Sequence, residues 1–174
     1  MAKIIWFTGL SGAGKTTLAR ILSKRLVKLN FKVQNIDGDN FRKKNKNNNK
    51  FSKSNIIENN LSIIKHTKKI QKKYDFIIVS VISPLLKTRN FARIQFGKNY
   101  YEVYVKCKIK TLERRDTKKL YEKAKKKLIK NLIGYNSKIR YEISKYKKIT
   151  INTDMLNKSN SIKTIMKKIL DKKK

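Results

Sequence analysis

Gly9-Leu-Ser-Gly-Ala-Gly-Lys-Thr16 decides how this chain is read, because it is a complete G-x-x-x-x-G-K-[ST] loop in its required setting. A turn of this composition lets consecutive backbone N–H groups point into one concavity that holds phosphate oxygens. The Lys15 ammonium then reaches the β- and γ-phosphates, and the Thr16 hydroxyl is a ligand for Mg²⁺. Upstream, Lys3-Ile-Ile-Trp-Phe-Thr8 is a short, mostly apolar run that predicts a buried strand. Downstream, Thr17 to Leu26 carries Leu18, Ile21, Leu22 and Leu26 at helical spacing, so a helix N-terminus faces the anion.

The chain has 174 residues, which predicts one domain spanning 1–174. No run of about 18 apolar residues occurs, so no membrane helix is expected. Residues 1–8 feed straight into the loop as a strand, so they do not read as a signal peptide. The one cysteine, Cys107, fits a reducing, cytoplasmic setting and is expected to be buried at a strand end. The one histidine, His66, lies in a Lys-rich helix and reads as a surface residue.

Forty-six Lys and Arg against eleven Asp and Glu give a net charge of +35. Such charge suits a polyanion partner, but the basic residues are spread over every segment. Lys, Asn and Ile are enriched together, as an AT-rich genome would produce, and no recognition module or aromatic platform accompanies them. Compositional drift is the better account, with only non-specific, salt-sensitive attraction to nucleic acid.

The remaining segments alternate. Phe31 to Ile36 reads as a second strand ending at Asp37, and residues 43–50 as a solvated Lys/Asn loop. A helix is predicted from about Asn55 to Lys73, and Tyr74 to Ser80 is the clearest buried strand. Ser83-Pro84 is expected to open the next helix. Tyr101 to Val105 and Lys148 to Asn152 read as further strands. Residues 159–171 read as a final amphipathic helix, with Lys172 to Lys174 fraying. Alternating βα units imply an α/β fold, a parallel sheet sandwiched by helices. Ligands bind at the carboxyl ends of such strands, which lines up Thr8, Asp37, Ser80 and Lys106 on one edge. Residues 116–142 turn Lys-rich and lose their periodicity. They read either as a basic lid that excludes water from phosphates or as an ordinary exposed helix and loop.

Asp37-Gly-Asp-Asn-Phe-Arg42 is the second chemical feature. Two carboxylates one residue apart at a strand end can serve a metal and an attacking hydroxyl, which is most of what phosphoryl transfer asks of a protein. Alone, Asp-Gly-Asp is also an ordinary turn.

With these blocks in view the chain resembles the adenylylsulfate kinases, P-loop kinases that phosphorylate the 3′-hydroxyl of adenosine 5′-phosphosulfate (APS) with ATP. The family's G-L-S-G-A-G-K-[ST]-T is present as Gly9 to Thr17, and its D-G-D-N-[VL]-R as Asp37 to Arg42 with Phe41. Its F-S and E-N pairs are Phe51-Ser52 and Glu58-Asn59. Its [FV]-I-S-P is Val81 to Pro84, and its R-D-P-K-G-L-Y-x-K-A is Arg115 to Ala124. The blocks keep the family's order over about residues 3–154. The resemblance implies that Gly9, Leu10, Ser11, Gly12, Ala13, Gly14, Lys15, Thr16 and Thr17 hold ATP, with Arg115 and the lid on the same side. It implies Mg²⁺ on Thr16 and Asp37, and Asp39 as general base. It implies an acceptor nucleotide against Asp39, Arg42, Phe51, Asn59, Ile82 and Ser83, with Phe51 stacked on the base. Ser83 is also the serine to which a phosphoserine intermediate is sometimes assigned, although direct in-line transfer needs no covalent stop. A homodimer is implied by the same resemblance.

The departures fall on the acceptor side. The family's F-S-x-x-D-R-x-E-N-I-R-R runs here as Phe51 to Ser62, with Asn55, Ile56, Leu61 and Ser62 replacing its aspartate and three arginines. An arginine replaced by an aliphatic chain is not a conservative change. The family's F-T-G-I-D reads Leu132-Ile-Gly-Tyr-Asn136, so Leu132 replaces an aromatic unless Tyr135 takes its place. Two further readings stay open. One is a kinase of this fold acting on another nucleotide-activated anion, such as cytidine diphosphoramidate in surface-polysaccharide synthesis. The other is a non-catalytic, nucleotide-gated binding protein.

Overall fold

Trp6 and Phe7 lie side by side in the chain and face opposite layers, which captures the architecture of this computed structural model. It describes residues 1–44, 52–146 and 149–171. Strand β1 (Lys3–Thr8) sits at the centre of a parallel sheet of order β2-β3-β1-β4-β5 among the described residues. The other strands are β2 (Val33–Asp37), β3 (Phe76–Ser80), β4 (Tyr100–Lys106) and β5 (Ile149–Asn152). Successive side chains of a strand point to opposite faces. Accordingly Ile5, Phe7, Phe76 and Ile78 enter one core layer, while Ile4, Trp6, Ile77 and Val79 enter the other. A sheet buried on both faces therefore reads as continuous apolar runs.

The first layer is closed by α1 (Lys15–Lys28) and α7 (Lys158–Leu170), through Leu18, Leu22, Leu26, Ile162, Ile165 and Ile169. The second is closed by α3 (Lys53–Ile70) and α4 (Leu86–Phe96), through Ile63, Ile64, Ala92 and Phe96. Each such leucine, isoleucine or phenylalanine side chain stabilises the fold by roughly 1.5–3 kcal/mol as it leaves water. Ser52 caps α3 by accepting from the Asn55 N–H at 3.2 Å, and Asn157 caps α7 through the Asn160 N–H at 2.9 Å. Both follow the usual preference for small polar caps.

Several expectations need correction. Gly38–Lys44 forms a short helix, α2, where the sequence suggested a turn and then a loop. Asp37 makes this possible: its Oδ1 accepts from the Asp39 and Asn40 N–H groups and so caps the helix. Residues 45–51, and with them most of the expected loop and Phe51, lie outside the described residues. The helix predicted to run to Lys73 ends at Ile70 and tightens into a 3₁₀ turn over Gln71–Lys73. Ser83-Pro84 does not open α4, which starts at Leu86 behind a Leu85 N-cap; Ser83 instead has φ +43°. Cys107 stands at the end of β4 as expected but is half-buried rather than buried. His66, by contrast, is exposed on α3 as expected, with its ring 5.5 Å from that of Phe41. The fraying expected of Lys172 to Lys174 also lies outside the described residues.

The segment read as a lid is only partly helical. It follows α5 (Ile109–Arg115), forms α6 (Leu120–Lys125) and continues in turns. Asp116 organises it by accepting from the Leu120, Tyr121 and Glu122 N–H groups. Tyr121, Leu132 and Ile133 are buried, so the segment is anchored by apolar contacts despite its lysines.

Candidate active site

The carboxyl ends of the strands open into a cavity of about 960 Å³ lined by Ser11 to Leu18, Asp37, Asp39, Ser80 to Ile82, Arg115, Lys118 and residues 153–159. Strand register sets its floor. Asp37 pairs with Ser80, and Ser80 with Phe7, so the ends of β2, β3 and β1 are level. Gly9 turns the chain away from β1 at φ +139°; a Cβ there would lie 2.4 Å from the Val105 carbonyl oxygen. The loop then enters α1 through Gly14 at φ +99°, with no side-chain cap on the helix. The first-turn N–H groups of α1 are thus left for an anionic ligand.

Lys15 is buried, and its ammonium donates to the Leu10 carbonyl at 2.7 Å. Burial lowers its pKa to about 8, opposed by the Asp39 and Asp37 charges and reinforced by Lys118. Next to it, Thr16 Oγ1 donates to Asp37 Oδ2 at 2.9 Å, and Ser80 Oγ reaches the same oxygen at 3.3 Å. One Asp37 oxygen therefore caps α2 and the other gathers two hydroxyls. Gly38 lets this happen at close range, since a Cβ would come within 2.7 Å of Val81 Cγ2. Hydroxyl and carboxylate oxygens of this kind are the donors Mg²⁺ takes. No group of three or more His, Cys, Asp or Glu side chains that could hold a metal occurs among the described residues.

Asp39 stands on the first turn of α2, and its Oδ2 lies 2.6 Å from the Lys118 ammonium. Partial burial opposes its ionisation, but the hydrogen bond and charge of Lys118, aided by Lys15 and Arg42, hold its carboxyl below the usual range. Arg42 is half-buried on α2 and feels the Asp39 charge, which works against the lowering of its pKa by burial.

Arg115 lines the cavity but is turned to its rim. Its guanidinium donates to the Thr153 carbonyl at 2.7 Å and to Thr153 Oγ1 at 3.2 Å, and Thr153 Oγ1 reaches the Ala13 carbonyl at 3.2 Å. The phosphate loop is thereby braced to the turn after β5. Met155, 81 % exposed, lies on that turn as an apolar element of the cavity wall.

The acceptor-side residues are brought together less completely. Ile82 lines the cavity with Val81. Ser83 is fully buried, with Oγ 3.4 Å from Thr88 Oγ1, and does not line the cavity. Its hydroxyl faces α4, because the left-handed backbone turns it inward. Asn59 is 1 % exposed, and its Nδ2 has no hydrogen-bond partner among the described residues. Ile56 is 2 % exposed and packs with Leu85 and Ile133, beside Ile82 and Tyr141. Leu132 is part of the core layer that holds Leu112 and Tyr121. Tyr135 sets its ring edge-on to Tyr121 and donates to Glu113 Oε1 at 2.9 Å.

Lys118, Thr153 and Tyr121 were not among the residues the sequence singled out as functional. Lys118 and Tyr121 lie within the Arg115 to Ala124 block, so a signal for them existed. Tyr121 donates to the Ser11 carbonyl at 2.9 Å, tying α6 to the phosphate loop. Thr153 carries no local signal; its partner Arg115 is 38 residues away.

The family model for adenylylsulphate kinase matches residues 1–152. The adenylyl-sulfate kinase of Clostridium acetobutylicum is 37 % identical over 150 residues, covering 86 % of this chain and 74 % of that protein. The probable adenylyl-sulfate kinase of Archaeoglobus fulgidus is 36 % identical over 154 residues, covering 88 % and 97 %. Among solved structures, the Mycobacterium tuberculosis APS kinase in complex with AMPPNP and APS superposes with a TM-score of 0.87 at 26 % identity, covering 98 % of each chain. Fold, phosphate loop and sequence blocks converge, and the chain belongs to the adenylylsulphate kinase family.

Proposed function

We propose that this protein transfers the terminal phosphoryl group of ATP to the 3′-hydroxyl of adenosine 5′-phosphosulfate, giving ADP and 3′-phosphoadenylyl sulfate. The observation that carries it is the meeting of Lys15, the Thr16–Asp37 pair and Asp39 on one cavity. The C. acetobutylicum relative is an adenylyl-sulfate kinase, and the M. tuberculosis structure holds AMPPNP with APS.

In this reading the loop Gly9 to Thr17 cradles the phosphates, and the Lys15 ammonium neutralises charge between the β- and γ-groups. The α1 N–H groups add fixed dipoles that need no rearrangement as charge shifts. Thr16 and Asp37 would hold Mg²⁺, which offsets phosphate charge when bound. Asp39 orients the attacking hydroxyl and takes its proton. Lys118 sets the charge on Asp39 and lines the same cavity. Arg115, through Thr153, and Met155 shape the outer wall against the adenine of ATP. Arg42, Asn59 and Ile82 border the acceptor, to which Phe51 would add its ring. Ser83 acts through its backbone, and transfer proceeds in line without a phosphoserine. The protein works in the cytoplasm, which its lone free cysteine suits, and as a homodimer by family resemblance. Its positive charge attracts nucleic acid only non-specifically.

One observation favours a second reading. Ile56 is locked into an apolar cluster where the resemblance places an arginine for the acceptor anion. An acceptor with a differently charged tail, such as a cytidine diphosphate derivative, would not need that cation.

Purified protein assayed with Mg-ATP against APS, cytidine diphosphate derivatives and no acceptor tests both readings. The first expects a 3′-phosphorylated product from APS that is lost in Lys15→Ala. Product from the cytidine nucleotide alone would establish the second. ATP binding with no turnover on any acceptor would refute both and leave a nucleotide-gated binding protein.

A further inference from the structure

Arg89 is the most deeply buried cation in the second layer and takes no part in the chemistry above. It lies on α4, is 1 % exposed, and has Glu102 of β4 at 3.2 Å from its Nε. One terminal nitrogen donates to the Ser83 carbonyl and the other to the Glu142 carbonyl. Its guanidinium also covers the Tyr141 ring at 5.1 Å. The two carbonyls belong to segments far apart in the chain. Ser83 ends the Val81–Ile82 wall of the cavity, and Tyr141-Glu142 is the chain leaving the lid segment.

The contacts around Arg89 join the same two segments. Thr8 Oγ1 donates to the Ile82 carbonyl at 2.6 Å and lies 2.9 Å from the Tyr141 hydroxyl. The Glu142 N–H donates to the Pro84 carbonyl at 2.9 Å, and its carboxylate accepts from the Leu86 N–H. Ser83 has φ +43°, a backbone that costs a residue with a Cβ energy and persists only when its surroundings fix it. A buried ion pair is a poor stabiliser compared with apolar filling of the same volume, whereas a planar guanidinium fixes several acceptors in one geometry.

We propose that Arg89 is a positioning residue for the acceptor side: it fixes the strained Ile82–Ser83 wall and locks the exit of the lid segment onto it. The kinetic form of this rests on the proposed reading that Ile82 borders the acceptor. The structural form does not.

Two measurements on Arg89→Lys test it, with Arg89→Met/Glu102→Gln as a second variant that leaves no buried carboxylate unpaired. In the first, without substrate, amide exchange at Leu86 and Glu142 speeds up together while β1 and the phosphate loop stay protected. Unchanged exchange at those two amides, or faster exchange throughout β1, overturns the proposal. In the second, the KM for the acceptor rises about tenfold, the cost of one charge-assisted hydrogen bond, while the KM for ATP stays within about twofold. A simple loss of stability would lower kcat and leave both KM values alone, and that result, or an equal rise in both, also overturns it. If the unaltered protein phosphorylates no nucleotide, the proposed reaction fails while the exchange measurement still decides the role of Arg89.

Discussion

The Lys118 ammonium stands 2.6 Å from Asp39 Oδ2 and joins segments 79 residues apart. Both side chains are more than half exposed, so the pair adds little to stability. Its consequence is electrostatic, because Lys118 holds the Asp39 carboxyl below its usual range. Removing the cation in Lys118→Ala lets the Asp39 pKa rise. If Asp39 is the base, as proposed, the acid limb of the kcat/KM profile then moves to higher pH. A profile whose acid limb stays in place would show that Asp39 is not the titrating group.

Asp39→Asn separates chemistry from binding. The amide keeps the shape and the contact with the lid segment but cannot take a proton. The expected outcome is a kcat lower by about 10²–10⁴-fold, with ATP affinity measured by calorimetry altered only slightly. Parallel losses in both would mean that Asp39 acts on ATP rather than on the acceptor.

Lys15 gives a proton signature. Its folded pKa is lowered by burial to about 8 from 10.5, so the folded protein sheds this proton before the unfolded chain does. Its contribution to stability therefore rises with pH between about 8 and 10.5. Bound ATP supplies negative charge that restores the ammonium. Calorimetry above pH 8 in buffers of different ionisation enthalpy should thus show proton uptake on ATP binding. The uptake should vanish in Lys15→Met, provided that variant still binds nucleotide.

Gly9→Ala tests the entry to the loop. The substitution places a methyl group 2.4 Å from the Val105 carbonyl oxygen at φ +139°. Backbone, not a mobile side chain, has to yield. We expect a loss of about 2–4 kcal/mol in denaturant unfolding, together with loss of ATP binding.

Tyr121→Phe removes the bond from α6 to the Ser11 carbonyl. Burial keeps the phenol protonated and hence a donor. The variant should lose about 1 kcal/mol of stability. ATP dissociation should quicken as α6 loosens from the loop, as stopped-flow measurement with a fluorescent analogue would show.

The sheet was legible because its strands are buried on both faces: apolar runs such as Phe76-Ile-Ile-Val79 leave little choice of structure. The phosphate loop of the candidate site was legible for a different reason. Gly9, Lys15 and Thr16 lie within eight residues, so one local motif contains the geometry. The α2 helix was hidden because its signal is a side-chain cap from Asp37, which a turn uses equally well. The inward rotation of Ser83 depends on a left-handed backbone held by Arg89 and Thr8, contacts 6 and 75 residues away. Thr153 meets Arg115, and Lys118 meets Asp39, only once the strand order is set, and no local spacing encodes that order.

Ile56 adds a constraint of another kind. A residue that packs with Leu85 and Ile133 at 2 % exposure answers to folding before it answers to any ligand. In a protein where that position met solvent and an anion, mutation could tune selectivity at small structural expense. Here Ile56→Arg would put a charge into an aliphatic cluster, so a cation enters this position only if the interior around it loosens. At this one position, a gained cation and a loss of thermal robustness would come together.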